Sequence, residues 1–173
     1  MKAETRAGRI SWTEARGGER QVAFAPDPAA RARIAAELGL EGLEELRVAF
    51  VLGPWRDGVE VEGELHALAG RLCDLTLEPF EETVASRFRR RLVRQGSPNL
   101  PGEGAEVVVD PEGEDPPEAF EGAFIDLAGI AAEELLLALD PFPRKPGAAF
   151  EAPAAEPPAS PFAALAKLRL DKG

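Results

Sequence analysis

One cysteine, one histidine and no tyrosine bound what this 173-residue chain can be. Cys73 alone cannot close a disulfide within the chain, so no cystine framework holds the fold. A structural zinc site takes about four ligands, mostly thiolate or imidazole. Cys73 and His66 fall short of that set, and neither a metal nor any other cofactor is expected. With nine Phe, two Trp and no Tyr, a platform for stacking nucleobases is not evident. Positive charge is also short: 20 Lys and Arg stand against 31 Asp and Glu, a net charge of −11. Neutralising phosphates needs a basic surface, so a general nucleic-acid binder is disfavoured and a basic protein partner is permitted. The same acidity also serves plain solubility. The longest apolar run, LLLAL at 135–139, falls far short of the ~20 residues that cross a bilayer. MKAETRAGRISW at the start holds no apolar stretch of a secretory signal. A soluble cytoplasmic protein with no membrane partner is expected.

What the chain does have is apolar residues, 45% of the total, enough for one core. RISWTE (9–14) and RQVAFA (20–25) read as short strands around Gly17–Gly18. Asp27 as N-cap and Pro28 behind it start a helix, ARARIAAEL, with Ile34 and Leu38 on one face and Gly39 as its stop. LRVAFVL (46–52) is rich in β-formers, and Asp57–Gly58 signals a tight hairpin. Beyond it, Val59, Val61, Leu65, Ala67 and Ala69 share one parity while Glu60, Glu62, Glu64 and His66 share the other. That is a strand with a dry and a wet face. The pattern blurs over 68–72, where Gly70 suggests a bulge. In TVASRFRRRLV (83–93), Val84, Phe88 and Leu92 again alternate, which completes a three-stranded antiparallel meander over 46–93. Residues 101–122 carry eight acidic and no basic residues among Pro and Gly, an acidic loop with VVV (107–109) as a candidate edge strand. Asp126 caps a second helix, LAGIAAEELLLAL, with Leu127, Ile130 and Leu137 facing the sheet. A Pro/Ala linker follows, and SPFAALAKLRL (160–170), with Ser160 and Pro161 at its head, predicts a short C-terminal tail helix.

Few residues offer chemistry. A Cys73–His66 dyad is excluded on a strand, where seven residues put the two roughly 23 Å apart and on opposite faces. Cys73 is read as an inert, partly buried thiol. Arg87, Arg89 and Arg91 project from one strand face as a ladder. They can meet phosphate or an acidic partner, or they can pair with Glu60, Glu62 and Glu64 on the neighbouring strand; pairing is the preferred reading. The acidic loop either attracts a Lys/Arg-rich protein or is ordinary polar chain. No Gly-rich phosphate loop, nucleophile elbow or singled-out acid/base pair is present.

The order of motifs resembles the YceD family of large ribosomal RNA subunit accumulation proteins. The family motif C-x-R-C-L-E-P is matched at Cys73, Leu77, Glu78, Pro79 and Phe80, after a VEGELHA lead-in at 61–67. An Asp-Leu helix start is matched at Asp126 and Leu127, and a leucine-rich segment with a proline-containing end at 135–150. The terminal SPFAAL resembles an alphaproteobacterial branch. The resemblance covers roughly residues 20–170. Many members have paired cysteines in the first motif and again after the leucine-rich helix, which suggests a metal knot. This chain has Thr76 and PRKPGA (143–148) at those places, so the resemblance carries over no metal.

The expected fold is α+β: a twisted antiparallel sheet, open or barrel-like, covered by two main helices. Residues 1–150 form one domain and 151–173 a linker and tail helix. The resemblance implies a role in 23S rRNA synthesis, processing or stability, and hence large-subunit assembly. The charge segregation adds the expectation of a non-enzymatic factor whose acidic surface, including the 101–122 loop, holds a basic ribosomal protein, or which meets an rRNA precursor through Arg87, Arg89 and Arg91. The competing classes are a general acidic interaction module unrelated to ribosomes and an RNA-processing enzyme.

Overall fold

Alternation of apolar and polar residues decides which face of a strand is buried, and here it does so over three long strands. A computed structural model describes residues 3–4, 8–100 and 115–150. Along the chain run β1 (Ala3–Glu4), β2 (Arg9–Ser11), α1 (Trp12–Arg16), β3 (Arg20–Phe24) and α2 (Pro28–Leu38). The long strands β4 (Gly42–Trp55), β5 (Gly58–Leu72) and β6 (Pro79–Arg94) follow, then β7 (Glu118–Phe120), β8 (Phe124–Asp126) and α3 (Leu127–Ala138). The fold is α+β. Six strands form a sheet in the order β1-β3-β4-β5-β6-β7, and β2 pairs with β8 apart from it. The β3-β4-β5-β6 pairings are antiparallel, while β1 joins β3 and β7 joins β6 in parallel. Of the two forms the sequence left open, the sheet takes the open one, ending at β1 and β7.

Register explains the core. Leu46↔Ala67↔Val84, Phe50↔Gly63↔Phe88 and Leu52↔Val61↔Arg90 are cross-strand rows, so one parity of each strand shares a face. On that face Leu46, Val48, Phe50, Leu52, Val59, Val61 and Leu65 are at most 2% exposed. The helices close over it: α1 and α2 meet β4, and α3 meets β5 and β6. Leu127, Ala131 and Leu135 of α3 are fully buried. Asp27 caps α2 by accepting from the Ala30 N–H at 2.8 Å, and Gly39 ends it in the left-handed region at φ 66°.

The structure corrects the sequence reading in several places. RISWTE is not one strand: β2 stops at Ser11, which caps α1 in a reciprocal box with Glu14. β2 joins β8, and β3 joins β4. The hairpin loop is Arg56–Asp57, because Trp55 and Gly58 are the closing pair and Arg56 takes the positive φ of 48°. The bulge lies in β4 between Leu43 and Glu45, opposite Leu68 and Ala69. Gly70 instead admits a close approach of Gly42, whose backbone nitrogen would lie 3.0 Å from a Cβ there. Leu137 is 78% exposed, because the buried side of α3 runs through Leu127, Ala131 and Leu135. Within 101–122, the stretch 118–120 is strand β7. The proposed 107–109 strand and the tail helix lie outside the described residues.

Candidate functional site

Three places gather polar chemistry: the helix-free sheet face, the loop after β5, and a groove beside α3.

On the helix-free face, register sets Glu60, Glu62 and Glu64 of β5 opposite Arg91, Arg89 and Arg87 of β6. The side chains pair accordingly. Arg87 meets Glu64 at 2.9 Å, Arg89 meets Glu62 at 2.8 Å, and Arg91 meets Glu60 at 2.9 Å. Arg87, through its hydrogen bonds and then its charge, holds the Glu64 carboxyl below the usual range. Arg91 is the most enclosed of the three, 8% exposed, with its guanidinium 5.0 Å from the Trp55 ring centre. Outer members such as Arg87 are largely solvated, so their pairs contribute little each, about 0–1 kcal/mol.

The family-motif residues sit in a turn, not on the strand where the sequence reading put Cys73. β5 ends at Leu72. Cys73 is fully buried in the turn that follows, its N–H donating to the Glu78 carbonyl and its own carbonyl accepting from Leu77. The segment after α3 docks here: Asp74 N–H donates to the Pro143 carbonyl, and Lys145 Nζ reaches Glu78 at 3.1 Å. The Cys73 thiol is pushed down to about 7, first by the Thr76 hydroxyl, against the opposing effect of desolvation, and further by the backbone N–H groups of Lys145, Thr76 and Leu75. Leu77 adopts φ 57°, rare for a leucine, and is 75% exposed; Pro79 opens β6. Asp126 and Leu127 are elsewhere. Asp126 caps α3 through the Gly129 N–H and Leu127 is buried, at the start of a 12-residue helix about 18 Å long whose far end leads into the segment that docks on the Cys73 turn.

A metal does not fit this turn. Thr76 stands where the family motif has its second cysteine, and its hydroxyl donates to Glu78 at 3.5 Å, while the facing segment brings the Lys145 ammonium to the same Glu78. Among the described residues, no group of three His, Cys, Asp or Glu is placed to hold a metal ion.

The third place was missed by sequence reasoning. Arg90 shares the parity of Val84, Phe88 and Leu92, so it points to the helix side of the sheet. There it meets Glu118 of β7 and Glu133 of α3, each at 2.6 Å, and Glu134 at 3.8 Å. These groups, with Asp115, Pro116 and Leu137 and with Arg87, Phe88, Arg89 and Arg91 of β6, line a groove of about 630 Å³. Burial first, and then the Glu118 and Glu133 charges against the pull of Arg90, raise the Glu134 carboxyl. Parity was the available signal for Arg90, since the alternation that put Phe88 and Leu92 on the dry face put Arg90 between them.

A family model described as "Large ribosomal RNA subunit accumulation protein YceD" matches residues 61–169, more than half of the chain. No curated protein and no solved structure matches the chain. No helix among the described residues is long and apolar enough to cross a membrane.

Proposed function

The chain belongs to the YceD family of large ribosomal RNA subunit accumulation proteins, and from that premise we propose that it supports 23S rRNA synthesis, processing or stability by binding rather than catalysis. Its partner in this reading is a basic ribosomal protein bound in the cytoplasm, and the consequence is assembly of the large subunit. The observation that carries the partner class is the glutamate ladder opposite Arg87, Arg89 and Arg91. A phosphate backbone would have to displace three carboxylates to reach those guanidinium groups, on a protein of net charge −11. The acidic 101–122 segment, with eight carboxylates and no basic residue, suits a Lys- or Arg-rich protein instead. Binding also fits the placement of the two residues that would tempt a catalytic reading: His66 is exposed on strand β5, whereas Cys73 is enclosed in the turn beyond it.

The test is affinity capture of the tagged full chain from growing cells, beside a variant with the eight carboxylates of 101–122 changed to amides. The wild type is expected to retain large-subunit ribosomal proteins, less so as salt rises, and the variant to lose them. A variant that binds and complements normally overturns the role of the loop. Recovery of rRNA precursor without ribosomal protein favours the RNA partner, and recovery of neither favours a general interaction module. His66→Ala with Cys73→Ser is expected to complement; failure to do so in a folded protein would restore the enzyme reading.

A further inference from the structure

Helix α3 is more apolar than one buried face requires. Leu135 is fully buried, yet Leu136 and Leu137 are 53% and 78% exposed. Leu137 also borders the groove, whose lining holds four carboxylates, Asp115, Glu118, Glu133 and Glu134, beside Arg87, Arg89, Arg90 and Arg91. Arg87, Arg89 and Arg91 are paired with Glu64, Glu62 and Glu60, whereas Arg90 is paired with carboxylates of the groove. The surface is therefore apolar on one side and in acidic excess on the other, a combination that suits a short basic helix with apolar residues. The chain carries such a segment. SPFAALAKLRLDK at 160–172 has Phe162, Leu165 and Leu168 three residues apart, and Lys167, Arg169 and Lys172 against Asp171 alone.

We propose that residues 160–170 of this chain form a helix that docks on the exposed side of α3, covering Leu136 and Leu137 and setting Lys167 and Arg169 against the groove carboxylates. Reach permits it. The described chain runs to Phe150, 12 residues beyond the end of α3. The intervening 151–159 can extend about 30 Å, more than the roughly 18 Å length of α3. Phe150 itself is 70% exposed, so the chain leaves the domain at its surface. The family match runs through residue 169 and so takes in α3, the linker and most of the tail. This inference is independent of the ribosomal reading.

Amide hydrogen exchange on the full chain, read by mass spectrometry, tests it. An isolated helix shorter than about 12–15 residues is marginal in water, so protection of 162–170 requires docking. The wild type is expected to show these amides slowed at least ~10-fold relative to a free chain. Leu136→Glu with Leu137→Glu, at exposed positions, should return them to free-chain exchange while β5 peptides stay protected. Lys167→Glu with Arg169→Glu should do the same without touching the domain. Free-chain exchange of the wild-type tail overturns the proposal, as does protection indifferent to both pairs of substitutions. Protection that grows with protein concentration also overturns it, because the tail would then dock on a second copy.

Discussion

Gly63 sits in the middle of the central strand with Phe50 on one side and Phe88 on the other. A Cβ added there would lie 2.1 Å from Phe88 Cζ and 2.4 Å from Cε1, so the ring occupies the space a side chain would take. The ring also meets Phe50 edge to face, centroids 5.9 Å apart at 74°. In Gly63→Ala the ring must swing away, and because Phe88 is only half-buried it has room to do so. The swing forfeits the aromatic pair, about 0.5–1.5 kcal/mol, and part of the ring's burial, about 1 kcal/mol. Replacing a strand glycine returns about 0.5–1 kcal/mol. The net loss is about 0.5–2 kcal/mol, a fall in Tm of roughly 1–8 °C for a chain of this size. Gly58 is the contrast. Its Cβ would lie 2.1 Å from the Leu92 carbonyl oxygen, which is backbone and cannot swing, so Gly58→Ala should lose more, about 3 kcal/mol. Urea denaturation of Gly63→Ala, Phe88→Leu and the double variant measures the coupling, expected at about 1 kcal/mol in favour of the double. Strict additivity, or a Gly58→Ala milder than Gly63→Ala, would refute the reasoning.

Along α3, Leu135→Ala should destabilise by about 2–5 kcal/mol, as for a fully buried leucine; Leu137→Ala, at a position 78% exposed, should change thermal stability far less. The Cys73 thiol, lowered from 9.0 to about 7, should titrate near 7 by thiolate absorbance. A depressed acid lends stability that is fully present above its unfolded pKa and lost as pH falls through the folded one. Wild type should therefore gain on Cys73→Ser as pH rises from about 7 to 9, and a flat difference would contradict the lowered thiol. Arg89→Ala should lose no more than about 1 kcal/mol, and less in high salt, because Arg89 is 58% exposed; a larger loss would make the ladder structural.

The long strands were legible because period-2 alternation fixes both face and register: Val59, Val61 and Leu65 are all buried, and the Glu/Arg pairing followed from the same parity. What failed was local. The capping box of Ser11 and Glu14 was present in the sequence, but Ile10 and Trp12 look equally at home in a strand. The hairpin was found one residue late because Gly58 signals a turn, although its lack of a side chain serves the approach of β6. Leu137 was misassigned because a helix apolar on several sides does not declare its buried face. The docking of Lys145 and Pro143 on the Cys73 turn joins segments some 70 residues apart, and no periodicity encodes it. The site around Arg90 needed the same tertiary information, since Glu118, Glu133 and Glu134 come from two elements remote in sequence.

The central claim is a role in accumulation of large-subunit rRNA, and the ratio of 23S to 16S rRNA in cells lacking this gene tests it most directly. With the wild-type gene restored as control, the account predicts a fall in that ratio that restoration reverses. An unchanged ratio under the same growth conditions would contradict it.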